Sequence, residues 1–275
     1  LRKWNKVVER IRKPIGEVTI GVVGKYLDLN DAYKSLFEAL THGGISNNVK
    51  VKIKNIDTDK LEKNKNKTVF NGLSGILVPG GFGKRGSEGK IFASKYAREN
   101  KIPFFGICFG MQMAVVDVAR NLLEYKSASS SEFGKTDTPV IGLLTEWIKD
   151  EEIQKRDLQS EYGGTMRLGS YPAILKKGSK VRNIYGSKKV NERHRHRYEV
   201  NMSFIDDLER VGLRFVGMSP DGLLPEIVEL KNHPWFIGVQ FHPELKSRPF
   251  NPHPLFSSFI KASVKKSKIS GKVKK

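Results

Sequence analysis

Short apolar runs alternate with amphipathic stretches over the first half of the chain. Residues 18–24 and 75–79 are apolar runs rich in Val and Ile, and residues 49–56 alternate apolar with polar positions; each of the three predicts a strand. A fourth run, residues 102–107, predicts another buried strand. Strands separated by helices pair in parallel, so this half predicts a parallel sheet covered on both faces, with its chemistry at the carboxyl ends of the strands.

Helical spacing of apolar residues marks the segments around these strands. Pro14 ends the first helix because proline stops a helix, and Asp31 caps the second because its side chain accepts hydrogen bonds from free amides. The predicted helices cover residues 1–15 (a linker helix), 31–39, 87–100 and 111–123. The Lys- and Asn-rich stretch 59–67 is interpreted as an exposed loop.

The pattern changes after residue 125. Residues 126–170 are rich in Ser, Thr, Gly and charge. Short alternating runs then predict antiparallel strands that extend the sheet, at residues 172–175, 213–218, 225–230 and 235–240. Residues 255–262 predict a closing helix. We therefore expect one domain over residues 16–263, followed by a basic, disordered tail over residues 264–275.

The chain has 275 residues and a net charge of +20, a balance that nucleic-acid-binding proteins often have. Most of the excess lies in residues 176–197 and 261–275. No basic strand interleaved with base-stacking aromatic residues is found, so nucleic acid binding is not expected.

No apolar run approaches the ~18 residues of a membrane span, and no signal-peptide pattern opens the chain. The single cysteine excludes an internal disulfide and suits a reducing compartment, so we expect a cytoplasmic protein without membrane contact. Because the first residue is Leu1 and not Met, we expect a piece of a longer protein.

The cysteine lies in a Gly-x-Cys-x-Gly motif between the fourth predicted strand and the helix after it. This is the nucleophile-elbow pattern with Cys108 in place of serine. Gly106 and Gly110 permit the sharp turn, and the positive end of the helix favours the thiolate, which is the nucleophile. The alternative is a buried cysteine that only packs, and the flanking glycines argue against it.

A cysteine nucleophile needs a base and a group that orients the base. His242, Pro243 and Glu244 follow the apolar run 235–240. Residues two apart on an extended chain project to the same side, so His242 and Glu244 are predicted to complete a triad with Cys108. Such a tripeptide also occurs by chance in loops, and the buried strand before it favours the triad.

Acyl transfer also needs donors for an oxyanion. The amide of Phe109, next to the nucleophile, is predicted to supply one donor, and Gly81 in the glycine turn 79–83 the other. An ordinary glycine-rich turn is the alternative. The residues around Gly83 and Lys84 lack the full Gly-x-x-x-x-Gly-Lys-[Ser/Thr] spacing, so no P-loop is expected.

Several of these motifs resemble those of one known family. Residues 79–83 (PGGFG), 106–112 (GICFGMQ) and 241–244 (FHPE) resemble three signatures of the class I (triad) glutamine amidotransferases. Further blocks resemble the carboxy-terminal glutaminase domains of the CTP synthase family, namely residues 131–133, 163–169, 192–201 and 233–236. The resemblance runs from about residue 18 to residue 262.

The resemblance implies an α/β fold, a flavodoxin-like three-layer sandwich with a central, mostly parallel sheet and an antiparallel extension. It also implies that Cys108 attacks the side-chain amide of glutamine, releasing ammonia and leaving a γ-glutamyl thioester that is hydrolysed. Glu132 and Arg197 would hold the α-ammonium and α-carboxylate of glutamine. The other expected glutamine contacts are Gly81, Phe82, Phe109, Gly110, Met111, Gln112 and Tyr198.

A segment containing Arg85, Gly86 and Glu88 resembles the lid that the family associates with GTP activation. Phe109 stands where Leu is commoner in the family, and little effect is expected because its backbone amide is the functional group. The charged residues 149–157 are interpreted as a variable surface insertion.

The resemblance also implies partners outside this chain. The family carries an amino-terminal amidoligase domain that uses ATP and Mg to convert UTP to CTP with the released ammonia, with GTP as activator. The sequence matches only the carboxy-terminal half, so we expect L-glutamine as substrate, an amidoligase domain as partner, and no metal or cofactor in this domain. The full-length enzyme is expected to be a homotetramer.

Two alternatives remain at this point. The first is another glutaminase, or a γ-glutamyl hydrolase, of the same fold, which the block 192–201 disfavours. The second is a domain that is nearly inactive alone and acts chiefly as a partner surface.

Overall fold

The computed structural model describes residues 1–25, 33–143 and 166–267. The helices are α1 (Arg2–Arg12), α2 (Lys34–Asn47), α3 (Thr58–Asn64), α4 (Ser87–Glu99), α5 (Phe109–Asn121), α6 (Lys180–Tyr185), α7 (Ile205–Arg210) and α8 (Pro254–Lys266). The strands are β1 (Glu17–Gly24), β2 (Lys50–Asp57), β3 (Gly75–Val78), β4 (Phe104–Ile107), β5 (Ala128–Ser130), β6 (Thr138–Leu143), β7 (Arg167–Leu175), β8 (Lys189–His196), β9 (Tyr198–Val200), β10 (Leu213–Met218), β11 (Pro225–Leu230) and β12 (Phe236–Val239).

Nine of the described strands form one sheet, in the order β2-β1-β3-β4-β12-β11-β10-β7-β8. The first five pair in parallel, and the last four pair antiparallel to their neighbours. A smaller sheet of β5, β6 and β9 packs beside it. The predicted parallel sheet with an antiparallel extension is confirmed.

Helices cover both faces of the parallel part. On one face, apolar residues of α4 and α5 pack in a cluster with Ile76 and Val78 of β3. On the other face, apolar residues of α2 and α8 pack in a second cluster with Leu77 of β3. Successive strand residues point to opposite faces, so β3 contributes to both cores. The result is the predicted three-layer α/β arrangement. Among the described residues, no helix is long and apolar enough to cross a membrane.

The predicted loop at residues 59–67 is wrong. Residues 58–64 form α3, because the side chain of Asp57 caps it by accepting hydrogen bonds from the amides of Asp59 and Lys60 at 2.8 and 3.0 Å. Leu61 is buried in the core and anchors the helix. The many Lys and Asn residues lie on its solvent side and conceal this single apolar anchor.

Several strands also differ from the expectation, since β5, β6, β8 and β9 were not predicted and β12 has another direction. The run 235–240 was expected to be antiparallel, but β12 pairs in parallel with β4 and antiparallel only with β11. The strand β8 was not predicted, because its buried positions alternate but include Glu192, His194 and His196, which carry no hydrophobic signal.

The helix ends differ by a few residues. Helix α2 runs to Asn47, eight residues beyond the predicted end, and Asp31 lies outside the described residues. Helix α5 begins at Phe109, not at Met111. Helix α8 continues to Lys266, so it includes the start of the predicted tail; residues 149–157 and 268–275 lie outside the described residues.

A buried charge network joins the antiparallel extension to the smaller sheet. Arg167 on β7 donates to Glu199 on β9 at 3.0 Å and to Glu226 on β11 at 2.8 Å. Burial raises the pKa of Glu199 to about 8 and that of Glu226 to about 7, against the opposing effect of Arg167. Burial, together with Arg167, lowers the pKa of His194 to about 3, so that imidazole is neutral. Arg167 is therefore the cation that holds both carboxyl groups in place.

We expect Arg167→Met to destabilise the protein by about 2–5 kcal/mol, because two buried carboxyl groups lose a hydrogen-bond donor at a cost of about 1–3 kcal/mol each. The measurement is the free energy of unfolding from a urea titration. Arg210→Met is the matched control: Arg210 forms an exposed ion pair with Asp207, whose loss costs about 1 kcal/mol or less. Equal losses for the two variants would contradict a structural role for the network.

Candidate active site

Cys108 lies on the predicted elbow between β4 and α5. Its backbone has φ 51° and ψ −108°, a left-handed conformation that is strained for a residue with a side chain. The turn is tight: a Cβ on Gly110 would lie 2.0 Å from the carbonyl oxygen of Val78, so only glycine fits there. Cys108 is 4% exposed and stands at the N-terminal end of α5, where the helix dipole is positive.

His242 reaches Cys108 because β12 lies next to β4. Both strands run parallel and end at the same edge of the sheet, and Cys108 acts there on the charge of the His242 imidazole. Nδ1 of His242 lies 2.7 Å from Oε1 of Glu244. The extended path expected after His242 is wrong, since residues Pro243–Lys246 form a 3₁₀ turn with proline at its start. This turn still brings the Glu244 carboxylate onto the imidazole.

The pKa of His242 reflects this pairing. Burial lowers it, but the hydrogen bonds and charges of Cys108 and Glu244 outweigh burial and raise the pKa to about 10. At neutral pH the imidazole is therefore protonated on both nitrogens. An imidazolium in this position can give its proton to a leaving group.

The glycine turn 79–83 lies over the nucleophile. A Cβ on Gly80 would lie 2.8 Å from Cε1 of His242 and 3.7 Å from Cβ of Cys108, which places this turn directly against the reacting groups. Lys25 donates to the carbonyl oxygens of Phe82 and Gly83 at 2.7 and 3.3 Å. Side chains from other elements thus hold the turn.

The residues expected to bind glutamine surround this turn. Oε1 of Glu132 accepts a 2.7 Å hydrogen bond from the amide of Gly83. Nε2 of Gln112 donates to the carbonyl oxygen of Tyr198 at 2.8 Å, so this side chain ties α5 to the start of β9. The predicted site residues from different parts of the sequence thus lie around one edge of the sheet.

The other expected contacts vary in exposure. Phe82 is 71% exposed at the tip of the glycine turn, and Arg197 is half-buried between β8 and β9. Phe109, Gly110 and Met111 are buried in the first turn of α5, and the amide of Met111 already donates to the carbonyl oxygen of Cys108 at 3.0 Å.

The residues of the expected lid lie at the start of α4. Gly86 is the N-cap of this helix, with φ 73°. Arg85 lies 3.6 Å from Asp59, and Glu88 accepts hydrogen bonds from Arg120 on α5 at 2.8 and 3.0 Å. Both charged side chains thus contact other parts of the domain.

Sequence reasoning missed several supports of the site. Gln240 donates to Sγ of Cys108 at 3.8 Å, and the carbonyl oxygen of Arg195 lies 3.9 Å from the same sulfur. The amide of His242 donates to the carbonyl oxygen of Arg193 at 2.7 Å. Gln240 precedes His242 by two residues, a spacing that the sequence contains. The backbone contacts from β8 have no sequence signal. Within the described ranges, no group of His, Cys, Asp and Glu could hold a metal ion.

Cys108→Ser should lower the pKa of His242 by about 1–3 units, because serine cannot supply the anion that stabilises the imidazolium. The measurement is an NMR titration of histidine ring ¹⁵N signals. His233 is the internal control: burial lowers its pKa to about 4, and its hydrogen bonds involve Ala97 and Trp235, so its titration should not change. An unchanged His242 titration would mean that Cys108 does not control the charge of the base.

Comparison with known proteins identifies the family. A family model described as glutamine amidotransferase class-I matches residues 28–262. The chain is 60% identical over 269 residues to the CTP synthase of Paramagnetospirillum magneticum and 61% identical to that of Rhizobium leguminosarum bv. trifolii. Each match covers 98% of this chain and 50% of the relative, so the chain spans about half the length of these curated relatives.

Solved structures of the same family are similar to this chain. The glutaminase domain of CTPS from Trypanosoma brucei, with bound acivicin, matches with a TM-score of 0.81 and 36% identity, covering 90% of this chain and 94% of that one. A glutamine amidotransferase from Thermotoga maritima, 12% identical with a TM-score of 0.50, has a related fold. The chain therefore belongs to the class I glutamine amidotransferase family, and within it to the glutaminase domains of CTP synthases.

Proposed function

We propose that this chain hydrolyses L-glutamine to glutamate and ammonia with Cys108 as nucleophile, His242 as acid and base, and Glu244 as the group that orients His242. The observation that carries the proposal is the geometry of these three residues. Cys108 has a strained backbone at the elbow, Cys108 and His242 both lie against Gly80, and Nδ1 of His242 lies 2.7 Å from Oε1 of Glu244. A cysteine that only packs needs neither the strain nor the pair.

In the first half-reaction, the Cys108 thiolate attacks the side-chain carbonyl carbon of glutamine. A carbon–sulfur bond forms, and the carbonyl electron pair moves to oxygen, where the amides of Phe109 and Gly81 stabilise the negative charge. The oxyanion then collapses and the carbon–nitrogen bond breaks. The nitrogen takes a proton from the His242 imidazolium and leaves as ammonia, and a γ-glutamyl thioester remains.

In the second half-reaction, neutral His242 takes a proton from water while the water oxygen attacks the thioester carbonyl. The second oxyanion collapses by expelling the Cys108 thiolate, which restores the thiolate–imidazolium pair and releases glutamate. Glu244 exchanges no proton in either half, because its role is to hold the imidazole and stabilise its charge.

Glutamine recognition is assigned to Glu132 for the α-ammonium and Arg197 for the α-carboxylate. Burial raises the pKa of Glu132, and the Gly83 amide and Lys25 oppose this effect, so an arriving ammonium would find a partly desolvated carboxyl group. The hydrogen bond between Glu132 and Gly83 supports the proposal, because it couples the substrate-binding carboxylate to the glycine turn beside the nucleophile. Arginine suits a carboxylate through its two-pronged donor geometry.

We further propose that the ammonia passes to an amidoligase that converts UTP to CTP with ATP and Mg, as the name of the relatives implies. The support is that this chain spans half their length. In this proposal residues 1–15 link the two domains, residues 16–263 form the glutaminase, residues 264–275 are a basic tail, and the full enzyme is a cytoplasmic homotetramer activated by GTP.

The function is tested by incubating the chain with diazo-oxo-norleucine, an electrophilic glutamine mimic, and by measuring glutamate release from glutamine. We expect a single covalent adduct, on Cys108, and loss of glutamate release in proportion to labelling, because only this residue combines a thiolate-favouring position with the pocket. Peptide mass spectrometry locates the adduct. Labelling that persists in Cys108→Ser, or full labelling without loss of glutaminase activity, would refute the proposal.

GTP should stimulate glutamine hydrolysis by this chain only weakly. Arg85 and Glu88 already contact Asp59 and Arg120 within the domain, and a ligand shifts an equilibrium only through differential contacts with the two states. Steady-state glutaminase rates over a GTP series at physiological salt measure the effect, with ATP as the control for non-specific attraction to the basic surface. Strong, saturable activation by GTP but not by ATP would show that the whole switch lies within this chain.

A further inference from the structure

Lys90 is an unusual residue for the place it occupies. It lies in the first turn of α4 and is 1% exposed. A cation there meets the positive end of the helix, and burial adds a further penalty. Burial, with the charge of Lys25, lowers its pKa to about 7. An apolar side chain of similar length would meet neither penalty, so packing alone does not account for a lysine.

The contacts of Lys90 all lead to the candidate oxyanion hole. Its Nζ donates to the carbonyl oxygen of Pro79 at 2.9 Å and lies 3.4 Å from that of Gly80, at the long end of hydrogen bonding. The same nitrogen lies 4.8 Å from the centre of the Phe109 ring, within cation–π range. The side chain of Lys90 thus contacts Gly80, which precedes Gly81, and Phe109. The amides of Gly81 and Phe109 are the two proposed to bind the oxyanion.

Because a peptide bond is planar, the contact of Lys90 with the Gly80 carbonyl also affects the direction of the Gly81 amide. The carbonyl of Gly80 and the amide of Gly81 belong to one peptide unit, which is planar, and the two groups point in opposite directions when it is trans. No cis peptide bond is found among the described residues. A donor that holds the Gly80 oxygen on the α4 side therefore aims the Gly81 amide away from α4.

We infer that Lys90 is a positioning residue that holds the Gly80–Gly81 peptide in the orientation in which the Gly81 amide faces the oxyanion. The inference rests on the proposed function, since it concerns the oxyanion hole of that reaction. Lys90 touches neither substrate nor the reacting atoms. Its effect is on the transition state, in which the oxyanion forms, and not on the ground-state binding of glutamine.

Lys90→Met tests the inference, because methionine keeps the length of the side chain and removes the donor. For glutamate release by the whole chain we expect kcat to fall about 10²-fold, as for loss of an oxyanion donor, with KM nearly unchanged. Lys95→Met is the matched control: Lys95 lies on the same helix, is 40% exposed and donates to Asn121, and its loss should change neither parameter.

A second readout separates positioning from a change in the nucleophile. Alkylation of Cys108 by iodoacetamide is a displacement at a saturated carbon and forms no oxyanion, so its rate reports the thiolate alone. The charges of Lys90 and Cys108 act on each other, so we expect this rate to change in Lys90→Met, but by a much smaller factor than kcat. The inference is overturned if kcat is unchanged, or if kcat and the alkylation rate fall by the same factor.

Folding of the variant is checked by near-ultraviolet circular dichroism. If Lys90→Met does not fold, Lys90→Gln replaces it, because glutamine retains a donor of shorter reach. Intermediate kcat with normal alkylation would then support positioning, and failure of both variants to fold would overturn it in favour of a structural lysine. If the unsubstituted chain releases no glutamate and Cys108 is not labelled by the glutamine mimic, the proposed function itself fails, an outcome distinct from the others.

Discussion

The amide of Cys108 donates a 2.7 Å hydrogen bond to the carbonyl oxygen of Val239, at the point where β4 and β12 leave the sheet side by side. The geometry of the triad that we propose depends on this parallel pairing. A parallel neighbour ends at the same edge, so the residue after β4 and the residues after β12 meet without any long connection. An antiparallel neighbour would place His242 at the opposite end of the sheet. The strained backbone of Cys108 is held between this hydrogen bond and the first turn of α5.

The antiparallel extension supports this edge. Strand β8 provides the carbonyl oxygen of Arg193 for the amide of His242 and that of Arg195 near the Cys108 sulfur. The buried Arg167 network joins this extension to the smaller sheet, whose last strand begins at Tyr198. Strands remote from the nucleophile in sequence therefore determine the surroundings of both the nucleophile and the base.

Buried polar groups around the site oppose folding and serve the chemistry that we propose. Lys90 is buried at the positive end of a helix, and Glu132 is partly desolvated beside the glycine turn. Each is compensated by backbone groups of residues 79–83, so the turn is held by Lys25, Lys90 and Glu132 together. Such a turn has a defined conformation before substrate binds, which is the requirement for an oxyanion hole.

The sequence alone was sufficient for the parallel core and the elbow at Cys108, because strand periodicity and glycine spacing act over short stretches of chain. It also predicted that His242 and Glu244 lie together, but a 3₁₀ turn and not the expected extended chain brings them into contact. It did not reveal α3, whose single buried Leu61 is hidden among charged residues, or β8, whose buried positions are polar. Nor could it show that β12 is parallel to β4, since strand order is set by packing between distant segments. The position of Lys90 also depended on the tertiary structure, because a lysine near the start of a helix is normally solvated, and only the packing of α4 against the glycine turn buries it.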